Sequence, residues 1–332
     1  MPVSEVPYNS FFFQWEIMLE EWAQANLPGG VIRAISWLSM FGEELVMIAV
    51  LGFLYWGWNK KLGRRVGLNI IMTLIITPMI KNIFIRRRPY FESEGIDLLR
   101  KIEPDADTYD IVAQGYSFPS GHSAGSVATY GSLAVYGTEP EYGLIRSHRV
   151  RKIVQGILMA AAVALPLLVG LSRVVVGAHY PTDVLTGWAL GLLVIFLVPW
   201  LEDRINNRWI FYIILLAVSA AGFFYCTSTD YFTCFGMLVG FVLAEAFEQK
   251  YVRFENTRNL VRCILRVLGG AAIYLALNKL LKLPFSGEFL ESATMAAFLV
   301  RTVRYAVVIF VDLGVYPMLF RVTAEIGKKK TA

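Results

Sequence analysis

Apolar runs of membrane-crossing length, separated by short polar clusters, dominate this chain of 332 residues. Nine stretches read as spanning helices, at 43–58, 66–84, 122–137, 153–171, 183–201, 209–226, 232–247, 261–282 and 293–320. Several reach the roughly 17–25 residues needed to cross a hydrocarbon core. Residues 8–26 differ, mixing Phe11, Phe12, Phe13, Trp15, Ile17, Met18, Leu19 and Trp22 with Glu16, Glu20 and Glu21. That mixture predicts a helix lying in the membrane interface. Residues 31–41 precede the first span, and Gly42-Glu43-Glu44 separates the two. The expected fold is all-α: a polytopic transmembrane helical bundle of about nine spans, with no internal repeat and no linker between soluble domains.

Composition agrees. Apolar residues make up 56% and charged residues 17%, with a mean hydropathy of +0.53, whereas soluble domains carry about a quarter charged residues. The bilayer is therefore the expected partner, and a net charge of +5 is no argument for nucleic acid. Three cysteines make no disulfide framework and fit no metal spacing. Cys226 and Cys234 flank a short polar loop where they could pair, but two reduced, buried thiols is the simpler expectation. Residues 1–9 lack the basic segment and apolar core of a cleavable signal.

Basic residues set an orientation. Lys60, Lys61, Arg64 and Arg65 follow the first span; Arg146, Arg149, Arg151 and Lys152 the third; Arg204 and Arg208 the fifth; Lys250, Arg253 and Arg258 the seventh. Arg321 and Lys328 to Lys330 end the chain. With nine spans all of these share one side, which the positive-inside rule makes cytoplasmic.

Three polar clusters then share the opposite face: Lys81 to Pro89, Pro119 to His122 and Ser172 to Asp183. A charge at membrane depth costs at least a few kcal/mol, so such a set calls for a function. Lys81 and Arg88 are seven residues apart, two helical turns, and are expected on one side of the second span. Pro89 disfavours helix at Arg88 and so marks the span's outer end, with Arg86 and Arg87 pointing elsewhere. Lys supplies a point charge and Arg a planar fork for two phosphate oxygens. Ser120 is expected to cap the third helix, where Gly121 lets its amide approach an anion, with His122 in the first turn. Ser172-Arg173 ends the fourth helix. Pro181 suits the first position of the fifth, putting His179 just ahead of it and Asp183 in its first turn. A carboxylate on one ring nitrogen would fix the tautomer and leave the other free to attack.

Taken singly, these residues read as snorkelling cations, a helix cap and a structural His–Asp pair. Together they offer three cations to hold a phosphate, His179 to attack it and His122 to protonate the leaving group. The third histidine, His148, falls in a basic cytoplasmic loop, leaving too few for a zinc or two-metal centre. No metal or cofactor is expected.

The pattern K-x6-R-P, P-S-G-H and S-R-x5-H-x3-D, carried by Lys81, Arg88, Pro89, Pro119 to His122, Ser172, Arg173, His179 and Asp183, resembles the type 2 phosphatidic acid phosphatase superfamily, which includes vanadate haloperoxidases. The resemblance implies a six-helix catalytic core over 43–201, preceded by interfacial helices in 1–42 and followed by additional spans in 202–332. It implies a phosphohistidine on His179, oriented by Asp183. His122 would act as acid and then base, with Lys81, Arg88, Arg173, Ser120 and the Gly121 amide on the phosphoryl oxygens. It implies no metal.

A lipid phosphate drawn from the bilayer is the leading substrate reading, with weaker resemblances to sphingosine-1-phosphate phosphatase-like and nine-span glucose-6-phosphatase-like members. Alternatives are a soluble sugar phosphate and a non-enzymatic lipid-binding or lipid-moving relative. The hydropathy argues against a soluble haloperoxidase, and a cell membrane with an extracytoplasmic or luminal site is the expected location. Buried charges further along, at Glu245, Glu248, Lys279, Arg301, Arg304 and Asp312, are expected either to lock added helices by ion pairs or, for Arg301 or Arg304, to read a headgroup.

Overall fold

The computed structural model describes residues 7–101, 106–142, 145, 147–257 and 259–320. Of the orienting basic residues, Arg146, Arg258, Arg321 and Lys328 to Lys330 lie outside the described residues. The helices are α1 (Gln14–Asn26), α2 (Gly29–Gly42), α3 (Leu45–Trp58), α4 (Lys60–Phe84), α5 (121–136), α6 (His148–Val175), α7 (Pro181–Arg204), α8 (Arg208–Phe224), α9 (Thr229–Val252), α10 (Leu260–Leu280) and α11 (295–318). Among the described residues no strand forms; one isolated bridge pairs Asn9 with Arg86.

Five helices, α4, α6, α7, α9 and α10, are long and apolar enough to cross a membrane, and α2 with α3, bent by 44°, make a sixth if they act as one span. The expected nine is not reached on length and apolarity. The reason is clearest at α5, whose Ser123, Ser126, Thr129 and Ser132 are all fully buried. This helix faces other helices instead of lipid, so it can carry hydroxyls that bond back along it. Thr129 Oγ1, for example, donates to the Gly125 carbonyl at 2.8 Å. Helix α8 is a shorter apolar helix, and α11 is interrupted by a π-helical stretch, Phe310–Val315.

Local signals set the starts. Asn59 Oδ1 accepts from the Leu62 amide at the head of α4 (2.9 Å), Ser120 caps α5, and Pro181 opens α7. Glycine then lets α7 press against α5. A Cβ at Gly187 would sit 2.6 Å from the Ser120 carbonyl oxygen, and one at Gly191 would sit 2.8 Å from that of Ala124. The contact is sealed by the Ser120 amide, which donates to the Asp183 carbonyl at 3.0 Å. Two of the three polar clusters are thus joined backbone to backbone.

Lys60 and Lys81 sit near opposite ends of α4, about 30 Å apart at 1.5 Å per residue. The polar clusters gather at the Lys81 end. At the Lys60 end, ion pairs fasten α9 to the rest, Lys60 to Glu248 (2.9 Å) and Glu245 to Arg208 (3.1 Å) and Arg64 (3.5 Å), while Arg64 to Glu202 (2.5 Å) ties α4 to α7. Glu245 and Glu248 are therefore locks. Arg304 Nη2 donates to Asn278 Oδ1 at 2.8 Å, tying α11 to α10, so this side chain serves a helix contact and not the polar clusters. Cys226, Cys234 and Cys263 are buried thiols.

Gly187→Ala drives a methyl group into rigid backbone and is expected to destabilise the protein by about 1–3 kcal/mol. Gly156→Ala is the control: nothing lies within 4 Å of its added Cβ, and it should be neutral or stabilising by up to about 1 kcal/mol. Thermal unfolding in detergent compares the two.

Candidate active site

Helix α4 stops at Phe84 because Ile85 turns left-handed, with φ 45° and ψ 36°. Arg86 to Arg88 therefore leave the helix, and Arg88 is extended (φ −78°, ψ 158°). The two-turn spacing expected for Lys81 and Arg88 is not what unites them; a shared loop is. Lys81 Nζ donates to the Tyr116 carbonyl (2.6 Å), and Arg88 donates from Nη2 to the Gln114 carbonyl (2.7 Å) and from Nε to that of Gly115 (2.9 Å). Arg88 Nη1 donates to the Ala178 carbonyl (2.6 Å) and lies 3.4 Å from His179 Nε2.

At the head of α5, Ser120 Oγ accepts from the Ser123 amide (3.4 Å) and hydroxyl (2.9 Å). The Ser120 proton thus remains available to an acceptor, and the first amides of the turn, at Gly121 and His122, have no intrahelical partner. His122 lies in the field of Arg173, Lys81, Arg88 and Arg100.

Arg173, in the last turn of α6, is 1% exposed, and its Nε and Nη2 have no hydrogen-bond partner. A buried guanidinium without acceptors is costly, and its geometry suits two oxygens of one anion. His179 precedes α7 as expected. Its Nδ1 faces Asp183 Oδ2 at 3.4 Å without a hydrogen bond between them. Asp183 Oδ2 also accepts from the Tyr180 amide at 2.9 Å. Burial, followed by the nearby Arg88 guanidinium, then Lys81, Arg173 and His122, holds the His179 imidazole well below its ordinary 6.5. The ring is therefore neutral, as a nucleophile must be. All eight expected residues gather at one end of the bundle.

Sequence reasoning missed two more. Arg86, expected to point elsewhere on a helix, is 1% exposed and donates from Nη1 to Asp183 Oδ1 at 2.6 Å. From Nη2 it donates to Glu16 Oε2 at 2.9 Å. Helix α1 is amphipathic, but its acids face inward: Glu16 and Glu20 are fully buried, while Trp15, Met18, Leu19 and Trp22 are exposed. The i, i+4 spacing of the two acids was the available signal; an acid stripe can face a buried cation as well as water. Neither oxygen of Glu20 has a hydrogen-bond partner. Burial, helped by Asp183 and Glu16 and opposed by Arg86, raises its carboxyl well above the ordinary range.

Two family models match the chain, and the first of them spans this site. The PAP2 superfamily model covers residues 63–207, and that of the PAP2 superfamily phosphatase transmembrane extension covers 232–328. The chain belongs to the PAP2 superfamily.

Among curated PAP2-like relatives, phosphatidylglycerophosphatase B of Bacillus subtilis is 33% identical over 109 residues, 33% of this chain and 50% of that protein. Undecaprenyl-diphosphatase of Sulfolobus acidocaldarius is 29% identical over 171 residues, 50% of this chain and 68% of its own. The chain thus spans half the length of the first of these relatives. The crystal structure of a transmembrane PAP2 type phosphatidylglycerolphosphate phosphatase from Bacillus subtilis aligns with a TM-score of 0.45 and 22% identity, over 58% of this chain and 87% of that one.

Two measurements test the electrostatics of this PAP2 site. With only three histidines, ¹³C-histidine NMR of detergent-solubilised protein can be assigned from single variants. His179 should titrate below pH 6.5, and a midpoint at or above 6.5 would contradict its burial among cations. Glu20 keeps its proton in the folded state at pH values where the unfolded chain has lost it, so folding is disfavoured increasingly as pH rises above 4.5. Glu20→Gln removes that term, so it should raise the melting temperature at pH 7.5 and have no such effect at pH 4.

Proposed function

We propose that this protein is a metal-independent membrane phosphatase that hydrolyses a phosphomonoester or diphosphate of a lipid through a phosphohistidine on His179. The observation that carries the reading is the cluster of half-buried Lys81 and buried Arg88 and Arg173 around His179. Among the described residues none of the three makes an ion pair; Asp183 is already bonded to Arg86, and Asp230 and Glu43 act on them only through the field. Cationic charge left unanswered in a low-dielectric site favours a multiply charged anion.

His179 Nε2 attacks phosphorus as the bond to the leaving oxygen breaks, and His122, which takes up a proton once the bound phosphate offsets the surrounding cations, gives that oxygen its proton. Asp183 stabilises the charge that develops on the imidazole. In the second step His122 takes a proton from water, whose oxygen attacks phosphorus and breaks the N–P bond. Lys81, Arg88, Arg173, the Ser120 hydroxyl and the Gly121 amide hold the equatorial oxygens, their charge doing the work that a metal does elsewhere.

A lipid is favoured over a soluble sugar phosphate by the site's flank. Phe84, Phe118 and Phe11 form an aromatic cluster, with ring centroids 4.8 Å apart for Phe84 and Phe118 and 6.0 Å for Phe11 and Phe118. Phe118 adjoins the P-S-G-H turn, and Phe84 and Phe11 are exposed. The names of the relatives point the same way, toward phosphatidylglycerophosphate and undecaprenyl diphosphate as first candidates. The reading includes a core over 43–201 with 1–42 and 202–332 as additions. It also includes a cell-membrane location, a site on the extracytoplasmic face and a cytoplasmic C-terminus, supported by the basic residues gathered at the Lys60 end.

Phosphate release in excess EDTA decides the matter, using phosphatidylglycerophosphate, undecaprenyl diphosphate, phosphatidate, sphingosine-1-phosphate and glucose-6-phosphate. Release from a lipid, reduced at least about 10³-fold in His179→Ala, is expected, and vanadate should inhibit as a mimic of five-coordinate phosphorus. Release from glucose-6-phosphate alone would overturn the lipid assignment, and full activity in His179→Ala would overturn the mechanism.

A further inference from the structure

We infer that the N-terminal segment is a working part of the active site, with Arg86 and Glu16 as positioning residues that hold Asp183, and through it His179, in line for attack. The inference rests on the phosphatase reading above.

Arg86 and Arg173 are equally buried but differently engaged. Arg173 has donors without acceptors, as a substrate-binding group should. Arg86 has protein acceptors on all three nitrogens. Nε donates to the Phe11 carbonyl (2.7 Å), Nη1 to Thr182 Oγ1 (2.8 Å) and Asp183 Oδ1 (2.6 Å), and Nη2 to Glu16 Oε2 (2.9 Å). Its guanidinium also stacks 3.8 Å from the centroid of the Tyr180 ring and 4.6 Å from that of Phe11. A group so engaged acts through Asp183. It fixes Oδ1 of the carboxylate, while Oδ2 takes the Tyr180 amide and faces His179. Without Arg86 the carboxylate would be a buried charge with one oxygen unheld.

Glu16 anchors the arrangement from α1. Its Oε1 accepts from the Thr182 amide (3.0 Å) and hydroxyl (2.6 Å), and Oε2 also accepts from the Phe13 amide (2.9 Å). The Thr182 amide lies in the first turn of α7 and lacks an intrahelical partner. An acid from a distant helix thus completes the cap of the helix that carries Asp183.

The turn that aims Arg86 is strained. Ile85 is β-branched and left-handed, a conformation costing about 1–3 kcal/mol that persists only where the surroundings enforce it. Asn9 enforces it: its amide donates to the Ile85 carbonyl (2.9 Å), its carbonyl accepts from the Arg87 amide (3.0 Å), and its Nδ2 donates to the Phe84 carbonyl (2.9 Å). The Pro7 carbonyl accepts from the Tyr116 hydroxyl (2.7 Å), fastening the same strap to the loop that holds Lys81 and Arg88. Residues 7–16 therefore touch the turn after α4, the loop at Tyr116 and the first turn of α7.

The test uses full-length Arg86→Gln, Arg86→Lys and Glu16→Gln, measuring steady-state turnover of the best lipid phosphate, melting temperature and the His179 ¹³C titration. Arg86→Gln should lower kcat about 10²-fold, the scale of an ångström misplacement, with KM within about threefold because the phosphate-holding cations are untouched. Its His179 midpoint should move upward, since the charge of Asp183 is no longer offset. Arg86→Lys keeps the charge without the fork, so it should restore the midpoint more than the rate. Glu16→Gln, nearly isosteric, should lower kcat about 10-fold and decides the question if Arg86→Gln does not fold. Folded variants with a reduced melting temperature but wild-type kcat and an unmoved His179 titration would reduce both residues to structural ones and overturn the inference. If the wild type hydrolyses no lipid phosphate, the functional reading fails on its own. The titration then decides positioning, a shift supporting it and no shift overturning it.

Discussion

Like charges held together out of water are the constraint around which this molecule is arranged. Lys81, Arg88 and Arg173 converge around His179, with Asp183 nearby and itself paired to Arg86. Desolvating even one cation costs several kcal/mol unless oxygens surround it. Backbone carbonyls supply part of the answer, from residues 114–116 to Lys81 and Arg88 and from Ala178 to Arg88. They lower the cost without cancelling the charge, so the site stays attractive to an anion. Acidic side chains in the same places would have neutralised it. Glu16 and Asp183 are turned onto Arg86 instead, which leaves Lys81, Arg88 and Arg173 without an ion pair among the described residues.

That arrangement needs backbone precision, which the helix packing supplies. Gly187 and Gly191 let α7 approach α5 until the Ser120 amide reaches the Asp183 carbonyl. The cap of one helix and the first turn of the other then move as a unit. In the proposed mechanism Ser120 and Gly121 face the anion from one side and His179 and Asp183 from the other, so a shift of either helix would spoil both. The hydroxyl-rich α5 sits inside the bundle because only a small, self-bonded surface allows such contact.

Much of this was legible in the sequence because catalytic chemistry restricts residue type and spacing together. The cap at Ser120, Pro181 at the start of α7, and His179 and Asp183 four residues apart are local features, and local rules found them. The failures are tertiary. Lys81 and Arg88 look like neighbours on a helix, yet the chain leaves that helix at Ile85, a residue whose β-branch argues against the conformation it adopts. Arg86 reads as a surplus cation beside the motif because its partners are 70 and 97 residues away in sequence. The acids of α1 read as water-facing because an amphipathic pattern gives the period of a helix without saying which side meets the protein. The span count fell short for a related reason: hydropathy measures exposure to lipid, and α5 has almost none.

The C-terminal addition is best understood through α4, which carries Lys81 on a weakened stretch. Pro78 lies inside that helix, where it removes one backbone hydrogen bond and crowds the preceding turn, a defect of about 3 kcal/mol in an unsupported helix. Lys81 is three residues beyond it, so any hinge there would move the cation. The added helices hold α4 on both sides of the defect. At the far end Lys60 is bonded to Glu248 of α9. At the near end Asn82, the residue after Lys81, accepts from the Thr227 amide at 3.0 Å and donates to Ser228 Oγ at 3.2 Å, while also donating to the Pro78 carbonyl at 2.8 Å. One asparagine thus ties together the proline turn, the lysine beside it and the entrance to α9. A helix clamped at both ends by the same neighbour cannot bend at Pro78 without breaking one clamp, which gives the added helices a mechanical connection to the end of α4 that carries Lys81.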